Sequence, residues 1–542
     1  MKEKNHKGLP WFGIPKLIPY LRGYGRLFLS MVLFGLLASG MDVVIPLFQQ
    51  YAINHFIADS TMQGIWPFVA LYLLVMAVQT ASNYISAYGA CRAELYIGRD
   101  LRREAFDHVQ TLSFSYFNQN SVGYIHARVI SDTDRIAGTL AWGIMEGVWE
   151  IAYLLFAIVM MFALNWKLAL CVMVIVPILV VSSIFFQKKL VFYHRKVREH
   201  NSQITSAFNE GITGAKTTKT LVIEDKVEKE FDQLTGEMKR ASVRAMHFRS
   251  VFMSTTAFAA SIALAIVLWR GGIITREGVM LVGTLSVFMN YAQGMMEPIQ
   301  WLVQVLSSLV NVQVNVERFT KLMETESDVR DTPEVTAKYG DAFHPKKENW
   351  EPLHGDIEFR DVTFRYPDGE ENILEHFNLK VPQGTNVAIV GETGAGKSTL
   401  VNLVCRFFEP TEGQVLIDGR DARERSQLWL HSNIGYVLQT PHLFSGTVLE
   451  NLRYGREDAT MEQIEAAVKA VSADSIIARL PDGYESDVGE GGNSLSTGEK
   501  QLLSFARALI AMGVKRGDHV AIWATNVPQW YITFWATTKI GA

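Results

Sequence analysis

The 542-residue chain has little cysteine and little charge. Its three cysteines, Cys91, Cys171 and Cys405, are far apart in the sequence and lack the spacing of zinc ligands, which excludes a disulfide scaffold and a zinc module. Charged residues make up 20% of the chain, compared with roughly 25% in an ordinary soluble domain. The formal net charge is −4. Because there is no basic excess, we predict no nucleic-acid partner.

Charge is lowest in long apolar runs that lie before residue 320. A helix needs about 20 apolar residues to cross the hydrocarbon core of a bilayer. Six runs are long enough, and the alternative interpretation is a set of buried helices in a soluble protein. The sequence predicts an all-α membrane domain of six helices, in contact with lipid, with spans at residues 27–52, 65–90, 139–164, 167–189, 248–271 and 278–312.

Lysine and arginine are concentrated at the N-terminus and in the connections that follow the second and the fourth span. The other connections are short and carry little base. Basic residues favour the cytoplasmic side of a membrane. This distribution predicts a multi-pass protein of the plasma membrane with both termini in the cytoplasm. The two long connections are too polar for lipid and predict helices that project into the cytoplasm.

A glycine-rich motif follows a change to shorter, strand-like patterns after residue 355. Asn386–Val390 predicts a buried strand, which runs into Gly391–Thr399 and then into a predicted helix, Leu400–Phe407. The G-x-x-x-x-G-K-S spacing lets backbone N–H groups converge on phosphate oxygens, with Lys397 near the terminal phosphates and the Ser398 hydroxyl available to Mg²⁺. An ordinary glycine turn is the alternative, and the flanking strand and helix favour an α/β P-loop nucleotide-binding domain. The candidate phosphate-binding residues are Gly391, Glu392, Thr393, Gly394, Ala395, Gly396, Lys397, Ser398 and Thr399.

Residues 10–511 as a whole resemble the exporters of the ATP-binding cassette (ABC) family, in which six spans precede one nucleotide-binding domain. Tyr366 resembles the aromatic residue that stacks on adenine, and an aromatic residue of the strand core is the alternative. Ile434–Phe444 resembles the Q-loop, in which Gln439 would position Mg²⁺ and the attacking water. The resemblance implies ATP and Mg²⁺ as cofactors, with Ser398 and Gln439 at the metal.

Ser494–Gln501 resembles the family signature, which acts on ATP that is held by a second subunit. The resemblance implies contacts from Ser496, Gly498 and Glu499 to that nucleotide. The usual signature has glycine where Thr497 stands and glutamine where Glu499 stands, and a carboxylate aimed at a phosphate would repel it. These departures favour a heterodimer with a second half-transporter, and a homodimer stays open.

The resemblance also divides the chain into domains. Phe114–Asn118 and Glu210–Lys216 resemble the two coupling loops that connect the membrane helices to the cassettes. The predicted domains are a six-span domain at 1–316, a linker at 317–354, a truncated nucleotide-binding domain at 355–511 and a foreign-looking tail at 512–542. The cytoplasmic side of the membrane is the expected location of the cassette.

The residues after the signature helix depart from the family. The family expects an apolar strand that ends in Asp-Glu, whose carboxylates hold Mg²⁺ and polarise the attacking water. This Walker B acid is absent, because the apolar run His519–Thr525 contains no acid. Residues 513–542 instead resemble a segment of the AMP-forming acyl-CoA synthetases. We therefore expect an incomplete cassette and a junction near residues 511–513, with a diverged cassette terminus as the alternative.

These features predict an exporter subunit that couples ATP binding and hydrolysis in a dimer to outward transport of a drug, lipid or peptide-like substrate. A non-catalytic ATP-binding subunit or an inactive fusion fragment is the alternative, since the Walker B acid is missing. A membrane-anchored adenylate-forming enzyme is less favoured, because its Ser/Thr/Gly-rich loop is absent. Asp42, Glu146 and Glu150 lie within predicted spans, which suggests a cation-binding cavity; a structural pair between helices is the alternative.

Overall fold

The computed structural model describes residues 13–385, 387–392, 394–438 and 441–513. Contacts within the chain divide it into two units. The first unit contains the residues up to Asp107 together with Gly123–Glu324, and the second contains His108–Val122 and the residues from Thr325 onward. Several predictions fall on Thr393, on Gln439 and on residues 514–542, which lie outside the described residues.

The membrane part of the chain is helical throughout. Short π-helical turns extend three of its helices, at Ala52–Ile57, Ala127–Asp132 and Val267–Gly271. The helices are α1 (Ile14–Leu21), α2 (Gly25–Tyr51), α3 (Ile65–Gln110), α4 (Phe114–Gln119), α5 (Val122–His126), α6 (Thr133–Met173), α7 (Ile175–Thr213), α8 (Ala215–Leu221), α9 (Glu224–Ile266), α10 (Gly272–Arg276), α11 (Val282–Gly294) and α12 (Met296–Met323).

Four helical stretches among the described residues are long and apolar enough to cross a membrane. In each of them, at most 28% of the most apolar window is buried inside the protein. A soluble bundle would bury such faces, so the exposure favours lipid as their surroundings and contradicts the alternative of buried soluble helices. The stretches are Pro15–Ile57, Ile65–Gln110, Val122–Thr213 and Glu224–Arg276.

One of these stretches, Val122–Thr213, contains two of the predicted spans. Its helical backbone is interrupted at Asn165, where φ is −159° and ψ is 102°. The Asn165 side chain then accepts a hydrogen bond from the backbone N of Leu168 at 3.1 Å, as an N-cap residue does. The break lies between the predicted spans 139–164 and 167–189, so the amide side chain starts the second helix where the apolar pattern predicted a turn.

The sixth predicted span, residues 278–312, falls on α11 and α12, which are separate helices. This region packs tightly into the core of the first unit. A Cβ atom on Gly294 would lie 2.1 Å from Tyr153 Oη, so only glycine lets α11 approach α6 this closely. The Tyr291 hydroxyl, also buried, donates to the carbonyl oxygen of Val43 in α2. The helix is therefore anchored to two neighbours by packing and by a hydrogen bond.

The second unit combines short helices with a sheet. Its helices are α13 (Pro333–Tyr339), α14 (Lys397–Val404), α15 (Gln427–Ser432), α16 (Val448–Arg453), α17 (Met461–Ala470), α18 (Asp474–Ile477) and α19 (Thr497–Met512), in addition to α4. Its strands are β1 (Ile357–Phe364), β2 (Leu374–Val381), β3 (Glu412–Ile417) and β4 (Arg420–Asp421).

The described strands form one antiparallel sheet in the order β2-β1-β3-β4. Ile357 of β1 stands opposite Val381 of β2 on one side and Ile417 of β3 on the other. β1 falls where the strand-like patterns begin after residue 355, and its Phe359 is buried in one cluster with Leu403 of α14. The sheet therefore supports the helix that follows the glycine loop.

The predicted strand Asn386–Val390 is wrong over its described residues, 387–390, which have no regular structure. Val387 and Val390 are 39% and 75% exposed. The prediction used apolar composition, but a strand also needs a neighbour that pairs with its backbone N–H and C=O groups. Among the described residues, no strand is paired with this segment. Val387 and Val390 therefore stay at the surface, whereas Ile389 packs partly against the cluster around Phe359.

Residues that were expected to form a linker pack into the second unit. Tyr339 of α13 is buried in one cluster with Trp429 of α15. Arg406, which is 1% exposed, donates from Nη1 to Asp331 at 2.7 Å and from Nη2 to Glu409 at 2.8 Å. A buried guanidinium with two carboxylate partners joins the segment after α12 to the cassette.

We expect Arg406→Met to lower the free energy of unfolding of the second unit by about 3–5 kcal/mol, because it leaves two largely buried carboxylates without their cation. The matched control is Arg360→Met, which removes an exposed pair with Glu358 and should cost less than about 1 kcal/mol. Hydrogen exchange of peptides from the second unit, in the intact detergent-solubilised chain, measures both effects. Equal effects of the two substitutions would contradict the prediction.

Candidate functional site

The glycine loop leads directly into α14. Gly394 and Gly396 have φ values of 92° and 79°, in the left-handed region that glycine adopts without steric cost. Gly396 is the N-cap of α14, and no side chain caps the helix. The first N–H groups of α14 therefore receive no cap from the N-cap residue, and they lie at the positive end of the helix, as a phosphate site requires. The helix spans Lys397–Val404, earlier than the predicted Leu400–Phe407.

Lys397 lies across the loop. Its Nζ donates to the carbonyl oxygen of Gly391 at 2.8 Å and to that of Glu392 at 2.6 Å, so the ammonium group stays beside the helix start. An ammonium group next to uncapped helix N–H groups suits phosphate oxygens, and the exposed Ser398 hydroxyl suits Mg²⁺. The loop residues present thus fit a nucleotide phosphate. Of the described loop, Gly391, Glu392, Gly394, Ala395 and Ser398 are exposed, Lys397 is half-buried, and Gly396 and Thr399 are buried.

Tyr366 follows β1 and is half-buried. Its ring packs edge-to-face on Phe364 and on Phe408, with centroid distances of 4.9 and 5.1 Å. Its hydroxyl forms a hydrogen bond with Thr399 Oγ1 at 3.0 Å. The structure thus places Tyr366 at the edge of the sheet core and in contact with the glycine loop. Its role in stacking on adenine stays a prediction.

Two of the predicted residues, Thr393 and Gln439, lie outside the described residues, so their roles also stay predictions. Among the described residues, no group of three or more His, Cys, Asp or Glu side chains could hold a metal ion. Mg²⁺ in nucleotide sites is usually held by few protein ligands and by the substrate phosphates. Ser398 fits that requirement.

An aromatic cluster joins α4 to the segment before Gln439, within the second unit. Phe114, the first residue of α4, has its ring centroid 4.2 Å from that of Phe407. Phe407 also contacts His431 and Tyr436, both at 5.2 Å. Burial lowers the pKa of His431, so the imidazole is neutral at pH 7 and packs as an uncharged ring. The predicted coupling loop and the predicted Q-loop region therefore share one contact.

The signature segment caps its own helix. Ser496 is the N-cap of α19, and its Oγ accepts a hydrogen bond from the backbone N of Glu499 at 3.4 Å. In return, Glu499 Oε2 accepts one from the backbone N of Ser496 at 2.9 Å. This reciprocal pair is a capping box. Arg479 Nη2 donates to the other carboxylate oxygen of Glu499 at 3.0 Å.

Glu499 thus occupies donors that the resemblance assigns to a nucleotide phosphate. The backbone N–H of Ser496 lowers the pKa of Glu499, and the Ser496 hydroxyl also donates to its carboxylate at 2.8 Å. Gly498 is exposed, with open space where a side chain would stand. Repulsion between Glu499 and a nucleotide phosphate was expected if the carboxylate pointed toward the phosphate. In this structure the Glu499 carboxylate points back onto the start of α19.

The two halves of the chain match known families in the same order. Residues 27–299 match the ABC transporter transmembrane region, and residues 374–512 match the ABC transporter family. The first match alone covers half of the chain. The chain belongs to the ABC transporters. It has a helical membrane domain followed by one cassette, which is the half-transporter arrangement of the exporters. The protein is therefore an integral membrane protein, and its cassette implies ATP binding.

Individual relatives extend across both halves of this ABC transporter. The ABC transporter ATP-binding protein YknV of Bacillus subtilis is 30% identical over 507 residues, which cover 93% of this chain and 82% of the relative. YfiC of the same organism is 29% identical over 511 residues, which cover 94% and 82%. An ATP-dependent lipid A-core flippase of Desulfotalea psychrophila is 33% identical over 418 residues, which cover 76% and 70%.

Residues 494–542 also match the AMP-binding enzymes. This match overlaps the ABC transporter match in the signature helix α19. Leu503 and Ala506 of α19 are buried in one cluster with Ile464 and Val468 of α17, so the described part of the overlap belongs to the cassette core. The junction expected near residues 511–513 stays a prediction.

Arg479 and Phe407 contact the candidate site, and sequence reasoning assigned neither of them a role. Phe407 was expected only as the last residue of an apolar helix. A signal for Arg479 was present, because a glutamate in place of the usual signature glutamine needs a cation nearby when it is partly buried. The sequence did not indicate which of the many basic residues would supply it.

We expect Ser496→Ala to increase hydrogen exchange in the peptide at 494–502 about fivefold, because the loss of an N-cap side chain costs about 1 kcal/mol. Ser494→Ala is the matched control, since its hydroxyl donates to the carbonyl of Val488 outside the helix. The measurement uses the intact chain in detergent. A similar change in both variants would contradict the capping role of Ser496.

The capping box should also respond to acid. Because the pKa of Glu499 is lowered in the folded protein, its contribution to stability is complete above its ordinary pKa and is lost as the pH falls through the lowered value. Glu499→Gln keeps the hydrogen-bonding geometry without an ionisable group. We expect acid to speed exchange of the 494–502 peptide more in the wild type than in Glu499→Gln, after correction for intrinsic exchange. Identical pH profiles would contradict this assignment.

Proposed function

We propose that this chain is an export subunit in which ATP binding by the cassette changes the conformation of the membrane domain. The observation that carries the proposal is the uncapped start of α14, with Gly394 and Gly396 in left-handed conformations and Lys397 beside it. In this proposal ATP lies between the glycine loop of one subunit and the Ser496–Gly498 segment of a second subunit. The protein lies in the plasma membrane with both termini and the cassette in the cytoplasm.

The residues that would hold Mg²⁺ are Ser398 and Gln439, and the ion neutralises phosphate charge when it is bound. Tyr366 would offer its ring to the adenine. Its hydrogen bond to Thr399 supports this role, because it fixes the ring beside the phosphate loop. Glu392, Thr393 and Ala395 contribute backbone to the loop rather than charge to the reaction.

Transmission to the membrane domain would start at Phe114. This residue packs on Phe407, which lies just after α14 and also contacts Tyr436 of the predicted Q-loop region. A shift of the Q-loop on ATP binding therefore moves the coupling helix α4. The free energy for the switch is the difference in ATP affinity between the open and closed arrangements.

The second subunit is a half-transporter of the same family. Thr497 and Glu499 depart from the usual signature, which supports a heterodimer in which this chain's signature forms the weaker ATP site. A homodimer would place two such signatures in the complex. The transported compound would be a drug, lipid or peptide-like molecule.

A second candidate is a subunit that binds ATP without hydrolysing it. Residues 512–542 contain a single acid, Asp518, and no Asp-Glu pair, while residues 387–390 pair with no strand in the part of the chain that the structure describes. Both observations favour a subunit that binds ATP but does not hydrolyse it. An adenylate-forming enzyme is a third candidate, which the match of residues 494–542 to AMP-binding enzymes supports.

We expect Lys397→Ala to weaken retention of labelled ATP with Mg²⁺ by about 10- to 100-fold, which corresponds to the roughly 1.5–3 kcal/mol of a charged hydrogen bond. The matched control is Lys380→Ala, an exposed lysine on β2 of the same sheet, which should leave retention unchanged. Equilibrium dialysis of the intact, detergent-solubilised chain measures both. Equal retention by the two variants would overturn the proposed site.

We expect the purified chain alone to release phosphate from ATP at no more than the background rate, because no carboxylate is available in the expected place to polarise the attacking water. A phosphate-release assay tests this, with Lys397→Ala as the background. A rate that disappears in Lys397→Ala would contradict the non-catalytic candidate and favour hydrolysis. Release of pyrophosphate when a fatty acid is added would instead favour the adenylate-forming candidate.

A further inference from the structure

A cavity of about 350 Å³ lies between α6 and α12 in the first unit. This volume is at the lower end of the roughly 300–1,000 Å³ of pockets that hold small organic molecules. Glu146 and Glu150 contribute from α6 and Glu297 from α12. Two tryptophans and one glutamine from the same helices also line the cavity. The glutamate, glutamine and tryptophan residues of the lining are Trp142, Glu146, Glu150, Glu297, Gln300 and Trp301.

The charge of the cavity is negative. Three of its lining residues are glutamates, and none of the lining residues that the structure describes is basic. Glu150 is only 6% exposed, and among the described residues its Oε2 has no hydrogen-bond partner. An acid within a membrane segment is costly and generally serves a pathway or a bound ligand. A buried carboxylate without a donor is costly, and a positively charged group in this cavity would offset that cost.

The aromatic residues restrict the kind of cation. The indole N–H of Trp301 donates to Glu146 at 3.1 Å, and that of Trp142 donates to Glu94 at 2.8 Å. With both N–H groups engaged, the rings offer a ligand their faces, which attract organic cations. No metal-binding group of acids, histidines or cysteines exists among the described residues, so the arrangement suits an organic cation better than a bare metal ion.

The packing at Gly147 holds one of these rings in place. A Cβ atom at this position would lie 2.9 Å from Trp301 Cη2, so any larger residue would push the indole away from α6. Asp42, which the sequence suggested for such a cavity, does not line it. Its two carboxylate oxygens accept hydrogen bonds from Gln79 and Trp149, each at 2.9 Å, so Asp42 belongs to a structural pair between helices.

We propose that this cavity binds a monovalent organic cation with aromatic or alkyl substituents, and that such cations are substrates of the transporter. The second statement rests on the proposed export function, whereas the first depends only on the cavity. Glu150 and Glu297 supply the charge, and Trp142 and Trp301 supply aromatic surface. Gln300 adds a polar group at the same face of α12.

The experiment measures binding of labelled tetraphenylphosphonium to the intact chain in detergent, without nucleotide and with empty micelles subtracted. We expect saturable binding that Glu150→Gln weakens about tenfold or more, consistent with loss of a charged partner. Glu150→Asp keeps the charge and should retain most of the affinity. Gly147→Ala and Trp301→Ala should weaken binding without changing the charge.

Two controls separate charge from general apolar binding. Asp42→Asn removes a membrane acid outside the cavity and should leave the dissociation constant unchanged. Tetraphenylborate has the same shape as the probe and the opposite charge, so it should not bind. Equal affinity of the wild type and a Glu150→Gln, Glu297→Gln double variant, or equal binding of tetraphenylborate, would overturn the proposal.

The outcome is independent of the cassette. Lys397→Ala should weaken ATP binding and leave tetraphenylphosphonium binding unchanged. A failure of ATP binding would therefore not contradict the proposed cation site. Uptake of the probe into inside-out vesicles that contain the complete transporter then tests whether the bound cation is exported. ATP-dependent uptake that Glu150→Gln abolishes supports transport, and undiminished uptake in that variant contradicts it.

Discussion

Backbone N–H and C=O groups need hydrogen-bond partners wherever water cannot reach them, and this requirement governs both units of the transporter. In lipid only a helix satisfies them within one segment, so the exposed apolar stretches of the first unit are helical apart from the break at Asn165. In the cassette, β1 is paired on both sides. Residues 387–390 have no paired strand among the described residues, and they stay irregular, with Val387 and Val390 exposed.

The same requirement has opposite solutions at two helix starts. The start of α14 has no side-chain cap, which leaves its positive end to an external anion. The start of α19 is closed by the chain's own carboxylate, since Glu499 accepts the Ser496 N–H and pairs with Arg479. In the proposed dimer, a phosphate at the second start has to displace that carboxylate. A weak signature site would follow from this competition.

Two contacts in the second unit join segments that are far apart in the chain. Arg406 binds Asp331 and Glu409 with almost no exposure of its guanidinium, and the ring of Phe114 in α4 packs on that of Phe407. Exposed pairs such as Arg360–Glu358 contribute little, because water and salt screen them.

Local sequence determined the features that need only local interactions. Length and hydropathy predicted the lipid-facing helices, because crossing a bilayer depends on one segment at a time. The glycine loop before α14 could be located for the same reason, since a helix start involves neighbouring residues. Tertiary contacts decided the rest: the irregular backbone at 387–390 depends on a distant strand partner, and the pairing of Asp42 with Gln79 and Trp149 depends on other helices. The meeting of Glu150 with Glu297 across α6 and α12 likewise joins residues far apart in the chain, which no local pattern encodes.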